Sequence, residues 1–124
     1  MPFHISICDD NAEQIKYLRR LVRLWAEKMA FAVQLYEYES AEEFLFKYPD
    51  NPCDILLLDI EMGEMNGMEL AKKLRNSNDN LPIIFITGYA DYMADGYDVF
   101  ALHYLLKPVE EDKLFFVLVL ISHF

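Results

Sequence analysis

DILLLD, residues 54–59, places four consecutive apolar residues between two aspartates. The run is too short for a buried helix. It suits a strand covered on both faces, as strands inside a parallel sheet are. PIIFIT (82–87) has the same character and ends in Thr87. FHISIC (3–8) is a third such run and stops against Asp9 and Asp10. HYLL (103–106) is a shorter one, halted by Lys107-Pro108, and residues 33–38 form the remaining strand. Between the strands lie amphipathic stretches. Over 11–29, Ile15, Leu18, Leu21, Val22, Trp25 and Met29 share one helical face. Asn11 caps the start of that helix, with Gln14 at the capping-box position. Ser40-Ala-Glu-Glu43 is a capping box that opens a helix to about residue 48, and 49–52 is a turn cluster. Asn66 caps a helix to about residue 76, a short helix covers 90–98, and a last helix starts near residue 110. Strand and helix alternate five times. That order predicts an α/β, doubly wound fold of five parallel strands with helices on both faces.

At 124 residues, with 54% apolar side chains, the chain fits one domain that buries a core without disulfides or structural metal. We find no internal repeat, linker or low-complexity tract, so one domain is expected to fill residues 1–124. The formal net charge of −10 argues against nucleic-acid binding by this segment and suits a divalent cation or a basic partner. No basic region precedes the first apolar stretch as in a signal peptide, and the run from Phe115 to Ile121 is too short to span a bilayer. No membrane role is expected, and the cytoplasm is the predicted compartment. Cys8 lies near the carboxyl end of strand 1, whereas Cys53 precedes strand 3. Six strand residues separate them by about 20 Å, beyond the ~7 Å Cα limit for a disulfide, so both are predicted to be free.

Open parallel sheets bind ligands at the carboxyl ends of their strands. Four strands deliver polar residues to that edge: Asp9 and Asp10, then Asp59, Thr87 and Lys107. Taken singly, each has an ordinary reading as a solvated loop acid, a turn residue, a strand threonine or a surface lysine. Together they describe a site. Three carboxylates suit a hard cation with oxygen ligands, Mg²⁺ above all. A lysine and a threonine facing that cation suit an anion with several oxygens, and phosphoryl fits. A carboxylate can itself be the nucleophile in phosphoryl transfer, and Asp59, on the middle strand, is the candidate.

These residues resemble the response-regulator receiver family over the whole chain. The matching parts are Asp9-Asp10, Leu58-Asp59-Ile60-Glu61-Met62 through Gly67, Ile86-Thr87-Gly88, and Tyr104-Leu-Leu-Lys107-Pro108. The resemblance implies strand order 2-1-3-4-5 in a flavodoxin-like sandwich. It implies that Asp59 is the phosphoacceptor, charged by a sensor histidine kinase. Asp10, Asp59 and the backbone carbonyl of Glu61 would ligate Mg²⁺ directly and Asp9 through a water, with Mn²⁺ as a substitute. Lys107 and Thr87 would hold the phosphoryl oxygens, and Tyr104 would turn inward when Thr87 moves. The Lys107-Pro108 bond would be cis. Gly63, where the family commonly has proline, is a departure expected to loosen the loop after Asp59. Gly88 stands where a small residue is usual, and Glu61 and Tyr89 flank the site.

DIEMGEMNG (59–67) and ALHYLLKP (101–108) resemble receivers that precede a LytTR-type DNA-binding domain. That likeness implies a longer transcription regulator whose C-terminal output domain is absent from residues 1–124. It also implies homodimer contact through helix 4, strand 5 and helix 5. LFFVLVLI (114–121) reads as a helix buried against the sheet or as part of that contact. Tyr104 reads equally as a partly buried core residue, and His4, His103 and His123 show no ligand spacing. The expected activity is not that of an enzyme beyond self-phosphorylation and slow autodephosphorylation. Two other classes use the same residues: a Mg²⁺-dependent phosphatase with Glu61 as second acid, and a pseudo-receiver that only binds. A cap domain would mark the first and a broken site the second. The sequence carries neither, and it lacks the phosphate loop of a flavin domain.

Overall fold

All four residues of β3 (Ile55–Leu58) are buried, as an interior parallel strand requires. It lies between β1 (Phe3–Cys8) and β4 (Ile83–Thr87), and β2 (Val33–Tyr38) and β5 (His103–Leu106) form the two edges. All pairings are parallel, in the order β2-β1-β3-β4-β5. The helices are α1 (Ala12–Met29), α2 (Ala41–Lys47), α3 (Gly67–Asn76), α4 (Met93–Asp98) and α5 (Glu111–Ser122). The computed structural model describes residues 2–122. The alternation of strands and helices accounts for the doubly wound parallel sheet, and its order is the flavodoxin-like one that the resemblance implied.

Side-chain alternation along each strand sorts the core into two layers. Ile5, Ile7, Ile55, Leu57, Ile84 and Ile86 face α1 and α5, where Trp25 and Leu118 pack on them. Leu56, Leu58, Ile83 and Phe85 face the other way, against Phe44 of α2 and Leu70 of α3. The apolar face read over 11–29 is the buried face of α1. The tail 114–121 is a helix packed on the sheet through Leu114, Val117 and Leu118, with Phe116 and Leu120 exposed.

The caps depart from expectation in detail. The Asn11 side chain accepts from the N–H groups of Glu13 and Gln14, but the Asn11 N–H donates to Asp9 Oδ1 and not to the Gln14 side chain, so that box stays open. Ser40 accepts from the Glu43 N–H, while the Glu43 carboxylate reaches back to the N–H of Glu39 rather than of Ser40. The closed box is at α3, between Asn66 and Glu69. The stretch read as one helix over 90–98 is split. Ala90–Tyr92 is a 3₁₀ turn, α4 follows it, and neither has a side-chain cap. Without a cap the first N–H groups of a helix lack partners, and Gly96 weakens α4 further.

Candidate functional site

β1 and β3 end side by side, because Cys8 pairs with Leu58 and the Asp59 N–H donates to the Cys8 carbonyl at 3.0 Å. That register sets Asp9 and Asp59 beside each other just past the strand ends. Both are dry: Asp9 is 1% exposed and Asp59 is 5% exposed. Paired buried carboxylates need a cation, since burial without a counter-charge is costly. Lys107 supplies one. Its Nζ donates to Asp9 Oδ2 at 2.8 Å and lies 3.3 Å from Asp59 Oδ2. The lysine is aimed there because β5 pairs with β4 and the Lys107 N–H donates to the Thr87 carbonyl at 2.8 Å. The Lys107-Pro108 bond is cis.

The remaining oxygens are tied locally. Asp9 Oδ1 accepts from the Asn11 N–H and Asp59 Oδ1 from the Ile60 N–H, each at 2.9 Å. Asp10 is exposed, and carboxylate oxygens of Asp9, Asp10 and Asp59 all lie within 4.8 Å of one another. One ammonium among three carboxylates leaves the site net negative. An all-oxygen donor set with an exposed member that leaves room for water fits Mg²⁺ chemistry.

Burial, and then the charge of Asp9, pushes the Asp59 carboxyl above the ordinary carboxylate range, against the opposing pull of Lys107 and the Ile60 N–H. Burial works to lower the Lys107 ammonium, but its hydrogen bond to Asp9 and the charge of Asp59 outweigh that and raise it. A carboxyl raised by folding adds stability that is fully present below its unfolded value and is lost as pH rises through its folded value. Asp59 therefore costs the metal-free protein stability at neutral pH. Urea unfolding of the parent and of Asp59→Asn is expected to show it. The two midpoints should separate as pH is raised from about 4 to about 7, with the variant the more stable. Midpoints that keep a constant separation would contradict the assignment.

Thr87, at the end of β4, is fully buried, and its hydroxyl has no partner among the described residues. Tyr104 is half-buried, packs its ring 5.8 Å from Phe85 and donates its hydroxyl to the Tyr89 carbonyl. The Glu61 side chain is exposed and accepts from the Tyr92 hydroxyl at 3.3 Å. Gly63 has φ +25, a conformation that favours glycine over L side chains. At Gly88 an added Cβ would meet nothing within 4 Å. Both cysteines are free. Burial raises the Cys8 thiol well above its ordinary value and pushes Cys53 up to about 11, so neither is a ready thiolate. His4 sits on Tyr36, with ring centroids 5.8 Å apart, and His123 lies outside the described residues.

Two residues read in the sequence only as a helix cap, Asn11, and as the end of a matching motif, Gly67, also shape the site. Asn11 pins Asp9 through its backbone N–H, a role any residue but proline could fill, so its identity carries no signal. Gly67 passes so close to the Asp59 carbonyl that an added Cβ would lie 2.0 Å from that oxygen. Its signal was a glycine in the first turn of a helix, where other residues form helix better.

The sequence matches the model of the response regulator receiver domain over residues 5–118. Transcriptional regulatory protein ZraR of Klebsiella oxytoca is 32% identical over 112 residues, covering 89% of this chain and 24% of that protein. Sensory transduction protein LytT of Bacillus subtilis is 32% identical over 110 residues, covering 89% of this chain and 44% of that protein. The chain thus spans less than half the length of these curated relatives. Among solved structures, the response regulatory domain of mrkE from Klebsiella pneumoniae superposes with a TM-score of 0.85 at 20% identity, over 98% of this chain and 96% of that one. A CheY-like receiver domain from Methanospirillum hungatei gives 0.84 at 22% identity, over 99% of this chain and 96% of that one.

Proposed function

We propose that this chain, which belongs to the response regulator receiver family, is a phosphoacceptor switch with Asp59 as its acceptor. The observation that carries this reading is the single ammonium of Lys107 shared by two buried carboxylates, with a third carboxylate exposed beside them. Asp10, Asp59 and the Glu61 backbone carbonyl would hold Mg²⁺ directly and Asp9 through a water, and Mn²⁺ would substitute. The ion, when bound, supplies positive charge for the phosphoryl oxygens.

The chain's own residues do the rest. An Asp59 carboxylate oxygen forms the bond to phosphorus as the bond from phosphorus to the kinase histidine nitrogen breaks, and the imidazole keeps that electron pair and takes up a proton. Lys107 is within reach of Asp59, so it can follow the new charge and pair with a phosphoryl oxygen. The free Thr87 hydroxyl gains an acceptor in the same group. Its movement, passed to Tyr104 on the neighbouring strand, would reset the surface of α4, β5 and α5. That surface is where a C-terminal output domain, or a second copy of the chain, would read the change. The greater length of the relatives supports taking residues 1–124 as the receiver part of a longer, DNA-binding regulator of the LytTR type. No activity beyond self-phosphorylation and slow autodephosphorylation is assigned. Among the described residues, no helix is long and apolar enough to cross a membrane.

Intact mass after incubation with Mg²⁺ and acetyl phosphate tests the proposal. One phosphoryl adduct is expected, absent with EDTA and absent in Asp59→Asn. An adduct that persists in Asp59→Asn would remove Asp59 from the role. Turnover of small phosphate esters without an adduct would indicate a phosphatase.

A further inference from the structure

The edge of the sheet opposite Asp59 carries an open cavity of about 950 Å³. The starting ends of all five strands line it, through Phe3, Ala32, Asp54, Pro82 and His103, and the last turn of α5 closes it with Leu120. No residue of α4 takes part in the lining. The length of β3 separates Asp54 from Asp59, which puts the cavity about 16 Å from the acceptor.

Its aromatic wall is held in place from behind. Trp25 is buried and meets Phe3 edge-on, with ring centroids 6.1 Å apart, and Phe31 at 5.5 Å. The Phe31 N–H donates to the Ala26 carbonyl and the Phe3 N–H to the Ala32 carbonyl, each at 2.8 Å. A wall set before a ligand arrives costs little ordering on binding. Phe31, Leu102 and Leu120 are exposed large apolar side chains, and all three border this one cavity.

The backbone along this edge offers a ligand little. The Asp54 N–H donates to the His4 carbonyl at 2.7 Å and the Leu102 N–H to the Ile83 carbonyl at 2.9 Å, and Pro2 and Pro82 have no N–H. The Asp54 carboxylate is the exception. Its Oδ2 accepts from the His4 N–H at 2.8 Å, and its Oδ1 has no partner among the described residues. Among the described residues, neither lysine nor arginine lines the cavity, and Asp54 is its one carboxylate. A single carboxylate in an apolar, aromatic cavity of this size is the complement of a small molecule with an apolar body and one cation. An anion would meet Asp54 unopposed, and a wholly apolar ligand would desolvate it without giving it a partner.

We infer that this cavity is a binding site for a small ammonium ligand with an apolar or aromatic body. The cation sits on Asp54, and the body lies among Phe3, Phe31, Leu102 and Leu120. The inference rests on this cavity alone and is independent of Asp59 as acceptor.

The test titrates three probes of equal length into the isotope-labelled protein, followed by amide NMR: phenylbutylammonium, phenylbutanol and phenylbutyrate. The ammonium is expected to bind at a single site, roughly fivefold more tightly than the alcohol, and the carboxylate more weakly than either. The shifts should centre on the amides of Phe3, Phe31, Asp54 and Leu102 and spare those of Asp59 and Lys107. Asp54→Asn keeps an acceptor for the His4 N–H. It should bring the ammonium down to the affinity of the alcohol and leave the alcohol as it was. Leu102→Ser combined with Leu120→Ser should weaken ammonium and alcohol alike, by roughly tenfold. Glu13→Gln removes the same charge at the start of α1 and should change neither, which excludes attraction to the net charge. Every substituted side chain is exposed, and urea midpoints confirm folding. The inference is overturned if the ammonium does not bind, if its shifts centre elsewhere, or if its preference over the alcohol survives Asp54→Asn. It is also overturned if Glu13→Gln removes that preference as fully as Asp54→Asn does.

Discussion

Lys107→Ala is expected to lower the stability of the metal-free protein at neutral pH by about 3 kcal/mol, because it leaves buried carboxylates without their counter-ion. The lysine ammonium is raised by Asp9 and Asp59 despite burial. Stability from a raised ammonium is fully present below its unfolded value and lost only as pH rises through its folded value. The whole contribution is therefore in force at neutral pH. The loss should shrink under acid conditions, where Asp59, already raised by burial, takes up a proton and removes one of the opposed charges. It should also shrink with Mg²⁺, which binds the variant's uncompensated carboxylates more tightly than the parent's and so stabilises the variant more. Urea midpoints with and without Mg²⁺, at neutral and acid pH, check all three statements. A loss that ignores both pH and Mg²⁺ would mean that the lysine matters through its aliphatic packing and not its charge.

β1, β2 and β5 are legible in the sequence at their observed bounds, because apolar runs flanked by turn residues or charge have one stable use in a sheet. β3 and β4 each begin one residue later than the runs suggest, and Asp59 stands just beyond β3. At the start of β3, the Asp54 N–H donates to the His4 carbonyl at 2.7 Å, while its carboxylate accepts from the His4 N–H at 2.8 Å. The run over 90–98 is helical throughout, as its composition suggests, but its first turn is 3₁₀ and neither part has a side-chain cap. Within the site, the gathering of Asp9, Asp59, Thr87 and Lys107 follows from topology alone, since parallel strands share their carboxyl edge. Which carboxylate holds the lysine more closely does not follow. It depends on contacts across 98 residues for Asp9, and it is Asp9, expected to serve through a water, that takes the 2.8 Å bond. The Tyr92 hydroxyl on Glu61 is of the same kind, because it arises where the loop after β3 meets the 3₁₀ turn, and neither segment has a periodicity to read.

Gly67→Ala is expected to lower stability by about 3 kcal/mol and to weaken Mg²⁺ binding at the same time. By helix propensity the change should help, by up to about 1 kcal/mol. The geometry outweighs that. The new Cβ would lie 2.0 Å from the Asp59 carbonyl oxygen, 2.9 Å from its carbon and 3.0 Å from the Ile60 Cα, and all three atoms are backbone. No rotamer change relieves such a contact. Either α3 withdraws and gives up the 2.8 Å bond from the Gly67 N–H to the Ile60 carbonyl, or the Asp59-Ile60 peptide moves and carries the Asp59 carboxylate with it. The second route disturbs the site, so the substitution separates packing from function. Gly88→Ala is the control. Its Cβ meets nothing within 4 Å, and it should change stability by less than about 0.5 kcal/mol. Urea midpoints and Mg²⁺ titration of the two variants decide the matter. Loss of stability with unchanged Mg²⁺ affinity would show that α3 yields. Loss of both would show that the backbone of Asp59 yields, and that Gly67 is there to let the helix close behind the acceptor.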